Sequence, residues 1–85
     1  MSKNIKNKIM TLDEHRIMGK ILQDMRNKLI VYGIELDKKY GKSKGFGVKL
    51  ERAAKRIDKV RSQLEDRLFN EYPDLDTEEG CKYYY

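Results

Sequence analysis

The chain has 85 residues, length for one domain, with nineteen Lys/Arg against fourteen Asp/Glu and a formal net charge of +5. A fold this small buries only about 60% of the surface its unfolded chain exposes and gains from a disulfide, a metal or a second subunit. The single cysteine, Cys81, and the single histidine, His15, exclude an internal disulfide and a Cys/His zinc cluster within one chain, which leaves self-association as the available source of extra burial.

Residues 1–10, MSKNIKNKIM, form a basic N-terminal segment. No apolar run follows it, so a secretory signal is not expected. No segment is apolar enough to span a membrane, and the expected location is a reducing one, the cytoplasm. Thr11-Leu12-Asp13-Glu14 then reads as a capping box, in which the Thr11 hydroxyl accepts from the Glu14 amide and the Glu14 carboxylate accepts from the Thr11 amide. From there Met18, Leu22, Met25, Leu29, Tyr32 and Leu36 recur at spacings of 4, 3, 4, 3, 4, the seam of a heptad helix. Asp24 to Lys28 and Glu35 to Lys39 add pairs of favourable orientation. The stretch LIVYGIEL, residues 29–36, is rich in β-branched residues and also alternates as a strand would. The unbroken 3-4 spacing decides for a helix from Leu12 to about Lys39.

Gly41, Gly45 and Gly47 interrupt that pattern and predict an elbow over residues 40–47. Beyond it Leu50, Ala53, Ile57, Val60, Leu64 and Leu68 define a second seam, which Phe46 extends backward. The second helix is expected from about Val48 to about Tyr72, where Pro73 stops it. Residues 11–72 therefore read as an antiparallel helical hairpin. Residues 73–85 read as an acidic, tyrosine-ended tail, mobile or with one helical turn. Its Tyr83-Tyr84-Tyr85 could stack on bases, dock in a partner or fold back, and its acids could shield a basic surface.

The expected fold class is all-α, an antiparallel two-helix hairpin dimerising into a four-helix bundle. Ile30, Val31 and Ile34 lie off the main seam of the first helix, and such a patch wants a cover. A second copy is the expected one, which makes these three the expected oligomer or partner interface. The alternative cover is the N-terminal segment, through Ile5 and Ile9.

Two motifs in the elbow fail on inspection. Lys44-Gly45-Phe46-Gly47 matches the first four positions of the strand with which RNA-recognition motifs stack bases. Val48 and Glu51 then stand where the remaining rings belong, and no helix fits between this stretch and its only companion strand. Gly41-Lys42-Ser43 matches the end of a phosphate-binding loop, but Leu36 occupies the position of the first glycine.

Charge is more informative. Residues 38–61 hold ten basic residues against Glu51 and Asp58, whereas residues 62–85 hold two against seven acidic ones. Lys49, Arg52, Arg56 and Lys59 recur at 3, 4, 3 along the second helix, a stripe of about 15 Å. With Lys42 and Lys44 of the elbow they are the expected anion-binding residues, nucleic acid being the leading ligand and a nucleotide a variant. The competing reading makes them flanking charges of a bundle that lie over its core and pair with a partner helix. His15 is expected to edge the seam, and Cys81 to be an idle thiol. One histidine, one cysteine and no convergent carboxylates give no basis for an enzyme, a metal or a cofactor. The expected function is that of a small regulatory binding protein. The alternative is a protein-interaction adaptor or inhibitor acting through the patch on the first helix or through the tail.

Overall fold

The computed structural model describes residues 9–85. Among them the chain forms α1 (Leu12–Tyr40), one 3-10 turn (Lys42–Lys44), α2 (Phe46–Glu71) and α3 (Thr77–Tyr84), with no strand. The β-branched stretch 29–36 is helical throughout, so the 3-4 periodicity outweighs strand propensity there.

Thr11 starts α1 as its sequence requires: its hydroxyl accepts from the Glu14 amide at 3.1 Å, and the Glu14 carboxylate accepts from the Thr11 amide at 2.9 Å. Asp24 holds Lys28 at 3.2 Å one turn further along the helix. The elbow is built on glycine because Gly41 and Gly45 adopt φ of 88° and 78°, values that L side chains avoid. The Gly47 amide donates to Asp37 Oδ1 at 3.1 Å, which ties the start of α2 to the end of α1. Tyr40 and Phe46 close the elbow edge to face, with ring centroids 5.7 Å apart.

The line along which α1 and α2 meet is offset by one position from the apolar seams. Leu22, Leu29 and Leu36 of α1 and Leu50, Ile57 and Leu64 of α2 are half-buried along it, as expected. Between them the structure buries Gly19 and Gly33 rather than Met18 and Tyr32, and Ala54 and Arg61 rather than Ala53 and Val60. Arg26 takes the place expected for Met25 and reaches Asp58 at 3.1 Å. Glycine explains part of the offset: a Cβ on Gly33 would stand 3.3 Å from Gly47 Cα, so the helices approach closely there. The displaced residues Met25, Tyr32 and Val60 are exposed on one face of the hairpin, called here the front.

Residues 73–85 are not a mobile tail. After Pro73 the chain turns back, and α3 packs on the opposite, or back, face at the open end of the hairpin. Tyr84 and Leu68 are fully buried and Tyr83 nearly so, with Leu12, Met18, Leu22, Leu64, Tyr72 and Leu75 around them. Burying one such side chain contributes roughly 1.5–3 kcal/mol, so two tyrosines suffice to hold a helix too short to form alone. Gly19 lets α3 in, because a Cβ there would overlap the Tyr83 carbonyl. The result is a slab of 48 × 36 × 16 Å, only one helix thick over its front face. Ile5 lies outside the described residues, and Ile9 is exposed. No described helix is long and apolar enough to cross a membrane.

Candidate anion-binding ridge

The outer edge of α2 carries Lys49, Arg52, Arg56 and Lys59, all four exposed. None of them forms an ion pair with an acidic residue among the described residues, whereas Arg16, Arg26, Lys28, Arg61 and Arg67 each do. The two acids of the basic block are turned away from this edge. Asp58 points to the seam, shared by Arg26 at 3.1 Å and Arg61 at 2.8 Å. Glu51 lines a groove on the back face. The ridge is therefore a run of cations whose charge is unopposed over about 15 Å.

The elbow lysines divide between the two faces. Lys44 lies with Leu36, Tyr40 and Phe46 at the front and extends the ridge. Lys42 turns to the back and lines the groove with Asp37 and Glu51. The structure thus brings together five of the six expected residues and sets Lys42 apart. The acids of α3 do not lie over the ridge, because α3 packs against Phe69 and Gly19 on the back face.

The Ile30, Val31 and Ile34 patch divides as well. Ile30 and Ile34 line the back groove, a depression of about 350 Å³, together with Gly33, Gly47 and Val48. Val31 is exposed away from them, on the outer edge of α1.

A second polar cluster has no counterpart in the apolar pattern. His15, fully buried rather than edging the seam, lies 2.6 Å from the Tyr84 hydroxyl through Nδ1 and 3.0 Å from Glu71 Oε1 through Nε2. The carboxylate can only accept, so Nε2 donates; in the neutral tautomer Nδ1 then accepts the Tyr84 hydroxyl proton. Burial first, and then the Glu71 charge, push the Tyr84 phenol up to about 12. Arg61, also buried, donates through Nε to the Tyr84 carbonyl at 2.9 Å, and its guanidinium covers the Tyr85 ring at 4.6 Å. Arg16 donates to the Tyr83 hydroxyl at 3.0 Å. These groups fasten α3 to the hairpin. The sequence signal was present in the run Leu12, His15, Gly19, Leu22, Arg26, Leu29, Gly33, Leu36, which keeps 3-4 spacing but is interrupted by residues that a hydropathy pattern discards. Cys81 is exposed on α3, and its thiol is raised above the ordinary value by desolvation and by its hydrogen bond with Glu65, which opposes thiolate reactivity.

No protein-family model matches this chain, and neither a curated protein nor a solved structure matches it.

Proposed function

We propose that this chain is a small non-enzymatic binding protein that works as a dimeric four-helix bundle and holds nucleic acid along the α2 ridge. The observation that carries the reading is the run Lys44, Lys49, Arg52, Arg56 and Lys59, exposed, of one sign, and without an acidic partner among the described residues. A protein that needed only solubility would intersperse its signs, and a single-sign stripe of this length is the electrostatic footprint of a polyanion site. The burial of the lone histidine beneath α3 supports a binding role over a catalytic one.

Fluorescence anisotropy with labelled single- and double-stranded oligonucleotides tests it. Four phosphate contacts on a duplex imply that raising salt fourfold weakens binding roughly a hundredfold. Arg52→Glu with Arg56→Glu is expected to abolish binding while leaving the helical spectrum unchanged, since both side chains are exposed. Equal binding by that variant, or no binding by the native chain at low salt, overturns the reading.

The back groove favours a second reading, an adaptor or inhibitor that receives an apolar side chain of a protein partner between Ile30, Ile34 and Val48. In that case Ile34→Asp releases the partner and the double arginine change does not.

A further inference from the structure

We propose that the front face of the hairpin is the homodimer interface, and that two copies pack across it with their elbows at the same end. This rests on the dimer reading above, and the face it uses shares Lys49 and Arg56 with the ridge.

The back face is covered at the open end by α3. Among the described residues nothing covers the front face along its length. Met25, Tyr32 and Val60 are 48%, 58% and 44% exposed there, beside the half-buried Met18, Leu29, Leu36, Ala53 and Leu64. Arg26 opposite Asp58 and Gly33 opposite Leu50 fix the levels of the two helices. Met25 therefore stands at the level of Val60, and Tyr32 at that of Ala53, in one stripe along the crevice between α1 and α2. Each helix thus shows two adjoining apolar directions, one toward its neighbour and one toward the front. That is the wider apolar face of a helix in a bundle core, rather than the narrow seam of an isolated pair. The face runs about 33 Å by about 20 Å, roughly 650 Å² per copy, near the 800 Å² or so that a standard stable interface buries on each partner.

Charge selects the occupant and its orientation. The α2 flank of the stripe presents the exposed Lys49, Arg56 and Gln63, and Arg67, whose charge is met by Glu71 at 3.1 Å. The α1 flank presents Glu14, Glu35 and Lys39, and Lys28, whose charge is met by Asp24 of the outer edge at 3.2 Å. A two-fold axis along the helices sets α1 of each copy against α2 of the other and brings Glu35 to the level of the second copy's Lys49. An axis across the helices would set α2 on α2, and like charges along the whole flank disfavour it. The selected axis keeps both elbows at one end, so that Lys44 and the neighbouring end of the ridge occur there twice. Neither copy alone presents that surface.

Sedimentation equilibrium and a spin-label distance test this without nucleic acid. The native chain is expected to sediment at twice its 10.1 kDa mass. Tyr32→Glu with Val60→Glu is expected to sediment at one chain mass with unchanged helicity, and Ile34→Asp on the back face to remain dimeric. Labels at Ser43→Cys, with Cys81→Ser, are expected well below the α1 length of about 43 Å. A monomeric native chain, a dimeric front-face variant, a dimer broken by Ile34→Asp, or a label distance at or beyond the helix length overturns the proposal. Oligonucleotide binding, measured separately on the monomeric variant, reports on the ridge, so failure of one reading is distinguishable from failure of the other.

Discussion

The two ends of the hairpin use the same helices differently. At the open end the seam positions His15, Arg61 and Glu71 are polar: Glu71 is held by His15 and Arg67 within the hairpin, and His15 and Arg61 each gain Tyr84 when α3 folds back over them. At the elbow end Gly33 and Gly47 bring the backbones together, and no described residue covers the apolar residues on either side. The open end is finished within one chain on its back face only. The elbow end keeps its apolar front and its unopposed cations available. A short chain thus concentrates its internal stability at one end and leaves its capacity for contact at the other.

Two tyrosines make that contrast measurable. Tyr84 is fully buried and Tyr32 is 58% exposed. Truncating a large buried ring costs about 3–5 kcal/mol, which for a domain of this size lowers the melting temperature by about 12 °C or more. Tyr84→Ala should therefore lower Tm sharply and release α3, with loss of near-ultraviolet tyrosine dichroism. Tyr32→Ala should change the stability of the monomer by no more than about 0.5 kcal/mol and weaken association instead. Similar losses for the two, in thermal unfolding at protein concentrations that favour the monomer, would erase the distinction between the ends.

The glycines give a smaller effect of the same kind. In an exposed helix interior Gly→Ala stabilises by roughly 0.8–1 kcal/mol. At Gly19 the new methyl would overlap the Tyr83 backbone carbonyl, which cannot yield without moving α3. Overpacking of that sort costs typically 1–3 kcal/mol, so Gly19→Ala should be net destabilising. At Gly33 the nearest atom is Gly47 Cα at 3.3 Å, a contact that needs only a few tenths of an ångström of relief. Gly33→Ala should accordingly fall closer to neutral. Urea unfolding of the two variants checks the order, and a more damaging Gly33→Ala would place the tighter joint at the elbow.

Both long helices, the Thr11 cap and the glycine elbow were legible because each has a local cause: periodicity, a paired hydroxyl and carboxylate, and positive φ at Gly41 and Gly45. The ridge was legible for the same reason, since four cations at helical spacing share an edge whatever surrounds them. The offset of the seam was not legible. It depends on Arg26, Asp58 and Arg61 satisfying one another across the hairpin; only Gly19 and Gly33, spaced fourteen apart on one side of α1, hinted at it as sites of close helix approach. Nor was α3. The segment TEEGCKYY is short, polar and interrupted by Gly80, and its helix is stabilised by docking rather than by its own propensity. The division of Lys42 from Lys44 follows from the 3-10 turn, whose three residues per turn point residues two apart in different directions.

The smallest expected effect tests the buried phenol. Tyr84 has its pKa raised to about 12 by burial and then by Glu71, against an ordinary value of 10.0. In the unfolded chain the same phenol loses its proton near 10, so between these values the native state binds more protons than the unfolded state. Stability therefore falls as pH rises through that window, and the contribution is fully present below it. Lysines also titrate there, which makes the absolute decline ambiguous; the comparison with Tyr84→Phe removes that ambiguity. At neutral pH the phenylalanine variant lacks the hydroxyl bonded to His15 at 2.6 Å, a loss of about 1 kcal/mol. It also has no phenol to ionise. The stability gap between the native chain and Tyr84→Phe, from urea unfolding at a series of pH values, should be constant up to about 9. It should narrow above that and change sign before the native phenol itself ionises. A gap that stayed constant through this range would mean that Tyr84 titrates as an exposed tyrosine does, and that α3 opens there as readily as the elbow end is already open.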